Sequence, residues 1–188
     1  MQNVKYPLVY TKVTLRNWHS FLKLGVHEIY APTMPYSRVK LDCPVDIGDY
    51  RHPRGPAQPI GLHMVYVPVS PNQGLDARAQ VRAGRAKLYA MSFEQFEAMT
   101  GDQLQRTPEP GGFDHQRDLM ETTVNRWPHG YAGFWNALYD EDLDAAEAII
   151  VQARQPLGHV NIANSDAAWD AYMHAAIDEA WRAVGELA

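Results

Sequence analysis

The clearest periodicity in the chain lies near residue 188. Trp169, Met173, Ile177, Ala180, Trp181, Val184 and Leu187 form one apolar stripe at helical spacing. Asp166, Asp170, His174, Asp178 and Arg182 recur every four residues on another face, so the pattern predicts a helix from Asp166 to about Leu187. Asn164 or Ser165 is placed to cap it, and Asp166 suits the positive end of its dipole. Upstream, Tyr131, Phe134, Trp135, Leu138 and Tyr139 fill one amphipathic face, and Leu143, Ala146, Ile149, Ile150 and Ala153 fill another. Together they predict a helical hairpin. Phe113 to Trp127 reads as a further helix, stopped by Pro128 and Gly130.

The first ninety residues follow a different rhythm. Tyr6 to Val13 is β-prone, and Leu15, Trp18, Phe21 and Leu22 then take up helical spacing until Gly25, a suitable stop. Val26 to Tyr30, Arg38 to Cys43 and Ile60 to Val69 read as strands. Eight prolines between Pro32 and Pro71 rule out one uninterrupted sheet there, because proline lacks a ladder donor. Asp46 to Pro59 is therefore predicted as a long loop. Leu75 to about Gly84 reads as a helix and Ala86 to Met91 as a strand. Ser92, with Gln95 three residues on, opens a helix that Gly101 ends. The expected class is α+β, with a mixed or antiparallel sheet from the first half packed against an acidic helical layer from the second. The natural division is 1–106 and 113–188, joined by a linker at 107–112 within one compact domain.

Charge sharpens this division. Residues 1–90 carry 12 Lys and Arg against 5 Asp and Glu, whereas residues 91–188 carry 5 Arg, no Lys and 17 acidic residues. The net charge of −5 is thus the sum of a basic half and an acidic half. Cys43 is the only cysteine, which excludes an internal disulfide framework and a thiolate metal cluster, and its expected role is a small buried residue. No run approaches the ~18 apolar residues of a membrane-spanning helix, and no apolar leader opens the sequence, so a cytoplasmic location is expected.

Four groups of residues carry candidate chemistry. The proline-rich loop holds Asp49, Arg51, His52 and Arg54, with His63 on the following strand; guanidinium forks and imidazoles suit a phosphate or carboxylate, with His52, His63 and Asp49 as candidate catalytic groups. Arg78, Arg82 and Arg85 make a guanidinium stripe if their segment is helical, a further anion-binding candidate, although overall acidity counts against nucleic acid. His115, Asp118 and His129 are the residues to watch for a metal ion, but no ligand spacing of high specificity is present. Carboxylates in a first helical turn have a simpler explanation in the dipole. Finally, Trp127, Tyr131, Trp135 and Tyr139 lie beside Asp140, Glu141, Asp142 and Asp144, an aromatic set in a polar surround of the kind that dominates interfaces. This last group gives the leading functional expectation: a non-enzymatic interaction protein or inhibitor that engages a basic partner surface, with homo-oligomerisation through the basic and acidic halves as a variant. The alternative is a small enzyme or binder for a phosphorylated or anionic ligand. No cofactor is implied.

Overall fold

The computed structural model of the chain describes residues 5–70, 72–133 and 149–187. The chain divides into two compact units, Tyr6–Gly130 and Met1–Lys5 with Tyr131–Ala188. The fold is α+β, and its sheet is antiparallel throughout.

In the larger unit, β1 (Leu8–Leu15), α1 (His19–Leu24), β2 (Glu28–Tyr30), β3 (Tyr36–Leu41) and β4 (Ile60–Tyr66) precede two long helices, α2 (Ala77–Ala90) and α3 (Phe93–Arg106). A one-turn helix, α4 (His115–Asp118), leads into β5 (Leu119–Trp127). Strand order is β2-β3-β4-β1-β5. Alternation puts Val9, Thr11, Val13 and Leu15 of β1 on the same face as Leu62, Met64 and Tyr66 of β4 and Val39 and Leu41 of β3. That face packs with Phe21 of α1, Leu88 of α2 and Phe96 and Leu104 of α3 into one apolar core.

A polar network runs through this core. The Thr100 hydroxyl donates to the Phe96 carbonyl (2.8 Å), so the Tyr36 hydroxyl donates to Thr100 (3.0 Å) and accepts from Thr11 (2.8 Å). Burial pushes the Tyr36 phenol above its usual range. Gln103 uses both ends of its carboxamide: Oε1 accepts from the Tyr36 N–H (2.9 Å) and Nε2 donates to the Tyr36 carbonyl (2.6 Å). Beyond the end of short β2, this side chain does for β3 what a neighbouring strand would do.

Several elements depart from the sequence-based expectation. Leu119–Trp127 is a strand, not a helix: Thr122, Thr123 and Val124 are β-branched, and the segment pairs along the whole of β1. Helix α2 continues through Ala90, because Gly84 is a point of close approach and not a stop; a Cβ there would sit 2.8 Å from the Pro68 carbonyl. Gly101 behaves alike within α3, facing the His115 ring at 2.7 Å from its would-be Cβ. The Ser92–Gln95 capping box forms as expected, with Gln95 N–H donating to Ser92 Oγ (3.3 Å) and Ser92 N–H to Gln95 Oε1 (2.8 Å). Gly25 ends α1 at φ 68°. Within 107–112, Glu109–Gly111 forms a 3₁₀ turn, and Gly111 meets the backbone of Ser20 so closely that a Cβ would fall 2.8 Å from its Cα.

In the smaller unit the described helices are α5 (Ile149–Ala153), a 3₁₀ turn at Ser165–Ala168 and α6 (Met173–Gly185). The expected continuous helix from Asp166 is interrupted at Trp169, which takes a left-handed φ of 52°. Asn164 caps the short turn through Ala167 N–H (3.1 Å), while the Asp166 carboxylate accepts from Lys5 Nζ (2.8 Å) and Gly133 N–H (3.3 Å). The face of α6 that is buried is Ala175, Glu179 and Ala183. Glu179 accepts from Arg154 Nη1 (3.0 Å) and Arg182 Nε (2.8 Å), and Asn161 Nδ2 donates to the Ala183 carbonyl (3.0 Å). Paired charge, not the apolar stripe, anchors this helix.

Candidate functional site

The 42–59 loop joins β3 to β4, neighbours in the sheet, and is long for a hairpin connection. It is ordered from within. Asp46 Oδ1 accepts from the His52 N–H (3.0 Å) and from His52 Nδ1 (2.8 Å), and Asp46 Oδ2 from Arg54 Nη2. Arg54 Nη1 also contacts His52 Nε2 (3.1 Å); a guanidinium only donates, so Nε2 accepts and the ring proton sits on Nδ1, facing Asp46. The His52 backbone and ring donors, with the Arg54 charge, hold the Asp46 carboxyl below its usual range. Gln58 Oε1 accepts from Gly55 N–H (3.1 Å) and from Arg54 N–H, closing the far side of the loop. The Trp18 N–H donates to the Pro56 carbonyl (2.9 Å) and ties the loop to the start of α1.

Under this loop lies a cavity of about 720 Å³. Its apolar walls are Trp18, Leu41, Pro44, Tyr50, Pro53 and Ile60. Its polar lining is His27, Lys40, Asp42, Cys43, His52 and Arg54. The two carboxylates at hand are already engaged, Asp42 by Lys12 Nζ (2.6 Å) and Asp46 by Arg54. Lys40 makes no ion pair among the described residues, so the cavity is biased towards positive charge. A largely apolar concavity of this size with a few convergent polar groups is the usual form of a small-molecule site.

Of the expected loop residues, His52 and Arg54 line the cavity. Arg51 instead turns to the loop backbone, donating to the carbonyls of Gly48 (2.6 Å) and Tyr50 (3.0 Å). Asp49 is exposed in the same turn and does not line the cavity. His63 lies on the sheet face opposite the core, in register with Lys12 of β1 and Lys40 of β3, its ring 4.8 Å from that of Tyr10. Burial and the Lys12 charge lower its pKa, and its Nδ1 is buried without a partner. Cys43, expected to be buried, is exposed and faces the cavity. Strand β3 ends at Leu41, and with it the alternation that would have turned the thiol inward.

The other candidates sit apart from this place. Arg78, Arg82 and Arg85 do share helix α2; Arg85 Nη1 donates to His129 Nδ1 (3.2 Å). His115 packs against Gly101, and its N–H donates to Gln105 Oε1 (3.2 Å). Asp118 is buried and accepts from Arg117 Nε (2.8 Å) and Nη2 (2.6 Å), Asn17 Nδ2 (2.9 Å) and the Asp114 N–H (3.0 Å). Asp118 and His129 are thus engaged by arginines, and among the described residues no three His, Cys, Asp or Glu are grouped to hold a metal ion. Trp127, on β5, and Tyr131 are both exposed. Trp135, Tyr139, Asp140, Glu141, Asp142 and Asp144 lie outside the described residues.

Trp18, His27 and Lys40 are the cavity residues that sequence reasoning missed. Trp18 precedes α1, His27 precedes β2 and Lys40 lies on β3, so only the folded chain brings them together. Among the described residues no helix is long and apolar enough to cross a membrane. No protein-family model matches the chain, and comparison with curated proteins finds no match either.

Proposed function

We propose that the chain is a cytoplasmic binding protein for a small organic anion, a carboxylate or phosphate ester with an apolar body, held in the cavity under the 42–59 loop. One observation carries this reading: Lys40, which makes no ion pair among the described residues, shares one cavity with Arg54, His27, His52, Trp18 and Tyr50, while Asp42 in its lining is paired with Lys12. Flat apolar walls suit the body of the ligand, and the cationic rim suits its anionic group. The test is calorimetric titration of the full chain with a panel of aromatic and aliphatic carboxylates and phosphate monoesters. At least one member is expected to bind, and Arg54→Ala and Lys40→Ala are each expected to weaken it by roughly tenfold, the effect of about 1.4 kcal/mol. Lys40 stands outside the Asp46–His52–Arg54 network, so its variant separates ligand contact from loop order. Wild-type affinity in both variants, or no binding across the panel, sinks the reading.

A second reading rests on the charge asymmetry of the sequence. The acidic segment Asp140–Asp144 next to Tyr131, Trp135 and Tyr139 suits a protein partner with a basic surface. Reversing Asp140, Asp142 and Asp144 to lysine is expected to abolish co-purification of such a partner; retention of the partner counts against this reading.

A further inference from the structure

Helix α6 turns its apolar stripe away from its own unit. Met173 is 81% exposed, Ile177 61%, Trp181 83% and Val184 65%, and Leu187 beyond the helix end is exposed as well. An unbroken row of large water-facing apolar residues, at the upper end of what a monomeric surface carries, marks an interaction site.

The spacing on this face narrows what covers it. Met173, Ile177, Ala180, Val184 and Leu187 step by four, three, four and three residues, the seam of one helix packed against another at a small crossing angle. The seam is also complementary to itself. In antiparallel register, Ile177 of one copy fills the space left by Ala180 of the other, and Met173 meets Val184, each contact occurring twice about the axis. Pairing large with small at the centre lets the helices approach closely. Trp181 borders the seam, and the polar residues Asp170, His174 and Asp178 form a solvated rim, with His174 stacked on Tyr172 at 5.6 Å. Trp181 alone carries roughly 200 Å² of surface. With its neighbours the face offers on the order of 600 Å², close to the ~800 Å² per partner of a standard stable interface.

We infer that α6 is the self-association surface of this chain, and that two copies pair these faces antiparallel across a twofold axis. The inference does not depend on the cavity. Sedimentation velocity of the full chain across the micromolar range is the test. The expected result is a concentration-dependent species of twice the chain mass. Trp181→Lys and Ile177→Asp each raise its dissociation constant by roughly tenfold or more, as for truncating a central interface residue. Both side chains are exposed, so circular dichroism of the variants stays unchanged. Tyr89→Asp, at an exposed position on α2 of the larger unit, leaves the equilibrium where it was. A chain that remains monomeric throughout, a dimer indifferent to both α6 variants, or a different protein seated on α6 in place of the second copy overturns the inference.

Discussion

Replacing Gln103 with leucine is expected to cost about 4 kcal/mol of stability, because two buried backbone groups lose their partner at once and each orphan costs ~1–3 kcal/mol. Leucine resembles glutamine in size, so little of this loss is packing. The Tyr36 N–H and carbonyl are left facing apolar neighbours at a point where β2 has already ended and no strand can replace the carboxamide. Urea unfolding of the two proteins, followed by tryptophan fluorescence, measures the difference. A loss below about 1 kcal/mol would show that β3 finds other partners there. The effect belongs to the core of the larger unit and is independent of the cavity.

Acid is expected to remove a second contribution. Asp118 is held down to about 2, from an ordinary 3.8, chiefly by the Arg117 guanidinium, helped by the Asp114 N–H and Asn17. A carboxyl depressed in the folded state stabilises the fold wherever it is ionised in both states. Its contribution is therefore complete above the ordinary pKa and fades as the pH falls through about 2. The size is about 2 kcal/mol. Asp46 and Glu28 are depressed as well, so wild-type acid sensitivity alone does not isolate Asp118. The difference from Asp118→Asn does: the variant is less stable near neutrality by about 2 kcal/mol, and the two curves converge on approaching pH 2. Parallel curves would contradict this assignment.

Local signals in the sequence carried the elements whose determinants are themselves local. The β-branched alternation of β1, the Ser92–Gln95 box and the left-handed stop at Gly25 were all readable without tertiary context. Gly84 and Gly101 misled for a shared reason. A glycine inside a helix looks like a terminator until the backbone or ring that presses on it is seen, and those contacts come from Pro68 and His115. Strand β5 was hidden in the same way, since β1 supplies its pairing from the far end of the unit. Loop residues His52 and Arg54 were legible as candidate chemistry, and both line the cavity. His63 stands on the outer face of the sheet between its register partners Lys12 and Lys40, and of the three only Lys40 lines the cavity. The burial of α6 reversed the usual rule because Glu179, Arg154 and Arg182 satisfy one another on the inner side.

Strand order also governs how the unit can be assembled on the ribosome. The first strand to emerge, β1, is destined for an interior position, yet its partners β4 and β5 are synthesised long after it. Once Tyr66 is available, β2, β3, β4 and β1 can form a four-stranded sheet, but one edge of β1 stays bare until Trp127 has been made. An unpaired edge of this kind invites pairing with other nascent chains. Lys12, in the middle of that strand, puts a charged side chain on its outer face, a disincentive to edge-to-edge pairing. Vectorial synthesis thus makes β5 the closing piece of the sheet, and β1 must be kept from the wrong neighbours until it arrives.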